Sequence, residues 1–515
     1  MIPLMDIDAS ALPQHPHSAR ADSDGISSAP EGGSPRSSED SPTSPDGHPE
    51  SVEPGVLLGA DAPSPLIIVM HASVGSGHRS AANAVAQAFE LLRDGSDETL
   101  DSSLAATGIN RAAASDPACA SALSSHAPEN EARETMGSAC TPHDFDVEVI
   151  DVLDFGRIVF DGNKAASLFT GATRPIYDLT WRFSLTGRLL WGGGTAWNRI
   201  MYPAFTDYVR EKRPAAIVCT HITAANVATA ARMLTGQRFP IVCVPTDYET
   251  EGLWPHRSAD LFCVANESMA ETLRPRRVPE ERILITGIPT RDDFRRSYNK
   301  RATREKMNLP QNKRVVLALA GAYLPRPYVH FREAIDRTLP YLHSLDDSTH
   351  VVIVAGSDAE YARHLRQACA ELGVGNATVL DYVDEMAALM AASDLVICKS
   401  GGLTVTECLC AQVPMILLGK AYGQEKVNVR MLTSVGAAMH VTTARELVDA
   451  LRHIAANPES VHAMLVNGSF LRRPDAALDI ARATLCLART PMADDAHYRK
   501  HFLQFYWGRK PAHIR

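Results

Sequence analysis

The chain reads as a series of short, largely apolar runs, several ending on a polar cluster and most followed by residues at helical spacing. In the first half the runs are Leu66–Ala72, Val147–Leu153, Ala216–Cys219, Pro240–Val244, Leu261–Ala265 and Ile285–Pro289. In the second they are Val315–Ala320, Val351–Gly356, Ala377–Tyr382, Leu395–Cys398 and Val413–Leu418. Apolar runs without alternation predict strands covered on both faces, as in parallel sheets. Between them, Ala81, Ala82, Val85, Ala88 and Phe89 share one helical face, and helices are predicted over Tyr361–Leu372, Met386–Ala392 and Ala444–Ala455. Strand and helix alternate twice over, which predicts an α/β protein of two doubly wound, Rossmann-like domains facing across a cleft.

Polar stretches set the boundaries. Residues 1–64 are rich in Ser, Pro, Asp, Gly and His, and residues 93–144 repeat that character inside the first domain, so both are predicted to be disordered. The remaining division is an N-terminal domain over 65–290, a basic linker over 291–312, a C-terminal domain over 313–475, and a crossover helix with a basic aromatic tail over 476–515. Residues 155–212 interleave Tyr177, Trp181, Leu185 and Leu189 with Arg174, Arg182 and Arg188, a pattern that fits a helix on an anionic bilayer surface and equally a core helix. The linker run Arg291, Arg295, Arg296, Lys300, Arg301, Arg304 and Lys306 is read as a solvated face or a lipid contact.

Composition narrows the class. The chain has 515 residues, 45% hydrophobic and 22% charged, with 51 basic against 60 acidic side chains and a net charge of −9. Nucleic acid is therefore not an expected partner. No apolar run approaches the roughly 18 residues of a spanning helix, and the start of the chain lacks a secretory pattern. Ten scattered cysteines, several inside apolar runs, read as small buried hydrophobes in a reducing compartment.

The densest chemistry lies in KSGGLTVTECLCAQVPMILLGKAYGQEKVN, from Lys399 to Asn428. Strand, glycine turn and helix succeed one another there. The unpaired amides of a helix's first turn stabilise an anion, and Ser400, Gly401, Gly402, Leu403 and Thr404 would let a phosphate approach the backbone. Glu407 could accept bonds from sugar hydroxyls, and Gln424, Glu425 and Asn428 on the next loop could read a second ring. In the first half, Gly75, Gly77 and His78 come just after the opening strand. A histidine there suits a general base, or caps the following helix. Asp247, in PTD after the Pro240–Val244 run, is its rival as base, or orients it, or is a simple cap. Trp254 and His256 (LWPH) are candidates for the acceptor path.

These motifs closely resemble the processive diacylglycerol glucosyltransferase and monogalactosyldiacylglycerol synthase family. GSGHRSA matches its first loop, PTD with LWPH its strand-end pattern, and SGGLTVTE with GQEKVN its donor motif. More loosely the chain is similar to the N-acetylglucosaminyltransferase that forms lipid II. Ser400 and Tyr422 stand where the family usually has prolines, and AGAYLPRP keeps only Gly321 of its glycine-rich phosphate loop. The resemblance implies a GT-B fold and inverting transfer of a hexose from a UDP-sugar to a membrane lipid hydroxyl, with UDP-sugar as co-substrate and no cofactor or metal. It also implies a uracil seat near Tyr382 and Val383, His78 as favoured base, and a cytoplasmic protein held peripherally at the inner membrane face. The alternatives are transfer of N-acetylglucosamine to a polyprenyl diphosphate, and a nucleotide-sugar-binding module without catalysis. The oligomeric state is open.

Overall fold

The computed structural model describes residues 64–73, 76–95, 145–157, 200–250, 254–321, 329–342, 345, 347–421 and 423–489. Gly75, Arg326, Tyr422, the 93–144 insertion past Gly95, the aromatic and arginine-rich stretch over 158–199 and the tail past Arg489 lie outside them. The apolar runs become strands. β1 (Leu66–His71), β2 (Asp146–Asp151), β3 (Ala216–Cys219), β4 (Ile241–Cys243), β5 (Leu261–Val264) and β6 (Ile283–Ile285) form one sheet in the order β2-β1-β3-β4-β5-β6. β7 (Arg314–Leu319), β8 (Thr349–Val354), β9 (Ala377–Leu380), β10 (Leu395–Cys398), β11 (Met415–Leu418) and β12 (Ala438–Val441) form a second, ordered β12-β11-β10-β7-β8-β9.

Each paired strand is parallel to its neighbour. The winding reverses beside the first strand of each sheet, between β1 and β3 and between β7 and β10. In such sheets a crevice opens at the carboxyl ends of the strands where the order reverses. The two doubly wound sheets make the GT-B arrangement.

The helices are α1 (Ser76–Arg93), α2 (Pro203–Lys212), α3 (Ile222–Thr235), α4 (Glu267–Leu273), α5 (Lys300–Lys306), α6 (Val329–Leu342), α7 (Ala359–Glu371), α8 (Met386–Ala392), α9 (Gly402–Cys410), α10 (Glu425–Ser434), α11 (Ala444–Ala456), α12 (Pro458–Ser469) and α13 (Ala476–Arg489). Local chemistry explains several starts. The His221 ring accepts from the Thr223 N–H to cap α3, and the Asn266 amide oxygen accepts from Met269 N–H to cap α4. Helix α9 differs: Gly401 stands at its N-cap and offers no side-chain acceptor. Helix α13 brings Ala477, Leu478, Ile480 and Ala481 against Ile67, Val69, Val85 and Phe89, so the chain ends its described course on the first sheet.

One expectation needs correction. The run Ile285–Pro289 is not itself a strand: β6 lies earlier, over Ile283–Ile285, and residues past it form the turn into the crossing between domains. The basic linker keeps Arg296, Lys300, Arg301 and Lys306 exposed, as a solvated face would, and several of its charges also brace the fold. Arg295 pairs with Asp292 and Asp475, Lys300 and Arg304 share Asp394, and Lys306 meets Glu385. Arg304, buried, also donates to the carbonyls of Ala392 and Lys313.

Candidate active site

The site is built on the segments just past the carboxyl ends of β1, β3, β4 and β10. At the start of α1, the Nδ1 of His78 lies 3.0 Å from the Thr220 carbonyl oxygen and 2.9 Å from the Thr246 Oγ1. A carbonyl only accepts, so Nδ1 carries the proton and Nε2 keeps the lone pair. Thr220 is itself pinned, donating its hydroxyl to the carbonyl of His78 at 2.9 Å. Burial pulls the His78 imidazole down to about 4, and the bond to Thr220 only partly opposes it. The ring of His221 meets that of His78 edge-on, centroids 4.6 Å apart, and burial holds His221 well below its ordinary value too. A neutral imidazole with a free Nε2 is the form a general base needs.

The segment just past β1 is anchored from β2. Asp151 accepts from the Ser73 N–H at 3.2 Å and from the Leu153 N–H at 3.0 Å. His71, at the end of β1, is 5% exposed, and its Nδ1 has no hydrogen bond, with Asp151 3.9 Å away.

Across the gap lies the first turn of α9. A Cβ built on Gly77 would stand 3.9 Å from the Cβ of Leu403, and one on Gly402 would stand 2.0 Å from the Thr246 carbonyl oxygen. Only glycine permits that approach. The Asp247 carboxylate accepts from the Gly402 N–H and, at 2.8 Å, from the Asn428 Nδ2. Burial pushes the Asp247 carboxyl upward, while Asn428, Lys399 and the Gly402 N–H pull it back. Asn428, fully buried, also donates to the Ser400 carbonyl at 2.9 Å and accepts from the Tyr248 N–H at 3.0 Å. The Tyr248 hydroxyl shares a bond of 3.3 Å with Thr406 Oγ1. The two domains thus meet through a polar seam in which Asp247 takes the cap position that Gly401 leaves empty.

The other donor candidates fall around that seam. Lys399 pairs with Glu425 at 2.5 Å, and the second carboxylate oxygen of Glu425 is buried without a hydrogen bond. Gln424 stands at the start of α10, and Thr404 is partly exposed on the first turn of α9. Glu407 comes five residues after Gly402, about 7.5 Å along the helix. Burial raises its carboxyl to about 7, with Arg291 pulling down and Asp293 pushing up. Arg291 also donates to the Asp384 carbonyl at 3.2 Å, next to exposed Tyr382 and half-buried Val383.

Three sequence assignments change. Trp254 and His256 do not line an open acceptor path: both are nearly buried and pack on Phe262 of β5, the indole edge-on at 6.3 Å and the imidazole stacked at 5.7 Å. An indole gains more from that core contact than from solvent. Gly321 is explained without a phosphate, since a Cβ there would lie 2.1 Å from the backbone nitrogen of Gly356. Arg291 and Lys399 were not singled out as site residues, yet they are cations beside Glu407 and Asp247. Their signal was adjacency: one opens the crossing between domains, the other precedes the glycine pair.

Residues 144–290 match the family model of monogalactosyldiacylglycerol (MGDG) synthase, and residues 329–477 match that of the glycosyltransferase family 28 C-terminal domain. A processive diacylglycerol beta-glucosyltransferase of Bacillus subtilis (strain 168) is 31% identical over 261 residues, 51% of this chain and 66% of the relative. One from Staphylococcus carnosus (strain TM300) is 28% identical over 222 residues, 43% of this chain and 55% of the relative. The chain therefore spans somewhat less than two thirds of the length of such relatives. Among solved structures, Acinetobacter baumannii MurG superposes with a TM-score of 0.48 at 16% identity, over 82% of this chain and 99% of that one. A UDP-GlcNAc 2-epimerase from Neisseria meningitidis gives 0.46 at 12%, over 82% and 99%. Likenesses of that size add nothing to the strand order of the two sheets. One family model thus matches on each side of the gap, and over about half of its length the chain is similar to processive diacylglycerol glucosyltransferases.

Proposed function

We propose that this protein is an inverting glycosyltransferase that moves a hexose from a UDP-sugar to the hydroxyl of a membrane lipid such as diacylglycerol. The observation that carries the reading is that Gly77, beside the imidazole of His78, faces the first turn of α9 so closely that a Cβ built on it would stand 3.9 Å from the Leu403 Cβ. It puts a proton acceptor and an anion-stabilising helix end in one gap. Relatives named for glucosyl transfer to diacylglycerol support the same acceptor here.

The chemistry is set by the parts. His78 Nε2 takes the proton of the lipid hydroxyl as its oxygen attacks C1 of the sugar. The bond from C1 to the β-phosphate oxygen breaks on the opposite face, and UDP leaves with that electron pair. First-turn amides of α9 and the Lys399 ammonium stabilise the developing negative charge. Glu407 holds the ribose, with Tyr382 and Val383 near the uracil, and Arg291 steers the carboxylate. These fixed donors and cations take the charge-balancing role that a divalent ion has in other transferases, so transfer is expected to proceed without metal.

No helix among the described residues is long and apolar enough to cross a membrane. We place the protein at the inner face of the cell membrane, held there by its acceptor. Purified full-length chain with diacylglycerol vesicles and radiolabelled UDP-glucose, UDP-galactose or UDP-N-acetylglucosamine tests the reading. Labelled lipid with equimolar UDP supports it and names the sugar. Absence of both turnover and UDP binding overturns it.

A further inference from the structure

We propose that Asp247 is a built-in occupant of the donor diphosphate's place, an intramolecular anion that a UDP-sugar must displace before transfer. The inference rests on the donor site of the proposed transferase. Asp247 belongs to the first domain, just past β4, yet the groups that stabilise its carboxylate, Gly402 N–H, Asn428 Nδ2 and Lys399, all belong to the second. They are also the donors and the cation that would receive a phosphate at the start of α9. Two anions cannot share one helix end and one lysine, so Asp247 and a diphosphate exclude each other.

Three further observations point the same way. Gly401 supplies no cap of its own, leaving the helix end open to an outside acceptor. The seam is shaped to Asp247: a Cβ on Gly402 would stand 2.8 Å from the Asp247 Oδ1, and the next residue, Tyr248, bonds Asn428 through its N–H. Beside it, Glu425 is 7% exposed and carries a carboxylate oxygen with no hydrogen bond, an acceptor waiting for a donor such as a sugar hydroxyl. The protein without nucleotide is therefore latched. Donor entry releases Asp247 from α9 and loosens the seam through Asn428 and Tyr248, and departure of UDP lets the carboxylate return. That return lowers affinity for UDP and aids product release.

Calorimetric titration of UDP and of uridine into full-length wild type, Asp247→Ala and Asp247→Asn tests this without catalysis. Removing the competing charge is expected to tighten UDP about tenfold in both variants while changing uridine, which has no phosphate, by less than about threefold. Unchanged or weaker UDP binding in the variants overturns the proposal, as does equal tightening of uridine, which would report general loosening. If wild type binds neither ligand, the donor site itself is misread and the proposal falls with it. Hydrogen exchange on the wild type is independent of any variant. UDP should speed exchange over residues 245–250 while slowing it over 400–410, and slowing of both segments overturns displacement.

Discussion

The imidazole of His78 is fixed by the backbone of Thr220: Nδ1 faces that carbonyl oxygen at 3.0 Å, which leaves Nε2 as the only site for an incoming proton. His78→Ala is expected to lower kcat about a hundredfold or more with UDP affinity unchanged. Because burial holds the group at about 4, it is neutral at pH 7 and stops accepting protons only as the pH falls through that value. In a Glu407→Gln background the acidic limb of kcat/KM should lie near pH 4. Bound diphosphate should favour the imidazolium, so the limb of kcat itself should lie higher. A limb of kcat/KM that survives His78→Ala would assign the base elsewhere.

Glu407 gives a second pH effect, of a different kind. Its carboxyl stands at about 7 in the folded chain against an ordinary 4.5, with burial the main cause. Only the ionised form accepts from both ribose hydroxyls. UDP should therefore bind about tenfold more tightly at pH 8 than at pH 6, and Glu407→Gln should abolish that dependence. The sign for folding is opposite. The native state holds this proton more tightly than the unfolded chain, so stability falls as pH rises from about 4.5 to 7. Thermal melts should find Glu407→Gln more stable than wild type at pH 8, by roughly 1–3 kcal/mol, and little different at pH 4.

Asp151 places the base-bearing loop without touching substrate. It bonds the N–H of Ser73 and of Leu153, joining the end of β2 to the segment just past β1. Asp151→Ala removes two acceptors at once and should cost about 1–2 kcal/mol of stability. The more telling readout is kinetic: kcat should fall about tenfold while KM for the donor, bound by the other domain, stays put. Asp151→Asn, which keeps one acceptor oxygen, should recover part of the rate. A drop in donor affinity instead would make Asp151 a general support of the fold.

Most of the strands and the two-sheet plan were legible because the central parallel strands are buried on both faces and leave apolar runs, while β2 and β9, at the sheet edges, are partly exposed. β12 was missed, since its four residues, AMHV, carry no such run. The linker's ion pairs were hidden for another reason: Lys300 and Arg304 find Asp394 about ninety positions away, and Arg295 finds Asp475 still farther on. Pairing over that distance leaves no local mark. Trp254 and His256 come after a strand end, where site residues gather, but an edge-on contact with Phe262 depends on packing the sequence does not display. The sequence offers Asp247 as a base, as a partner of His78 or as a cap. That the helix it faces lacks a cap of its own became visible only with both domains in place.

The glycine pair before α9 separates closure from phosphate binding. On Gly402 a Cβ would lie 2.0 Å from the carbonyl oxygen of Thr246, a backbone atom with little room to yield. On Gly401 the nearest atom is the Lys399 Cε at 3.6 Å, an ordinary contact, and the backbone there is one that alanine readily adopts. Gly402→Ala should therefore hold the domains apart, raising the radius of gyration in X-ray scattering and lowering kcat at least a hundredfold. The fold itself should survive, because alanine suits a helix better than glycine by about 1 kcal/mol. Gly401→Ala should scatter and melt like wild type and yet bind UDP several-fold more weakly, since the added methyl stands where the phosphate approaches the amides. Equal behaviour of the two variants would mean that the close approach of the domains at Gly402 has no bearing on turnover.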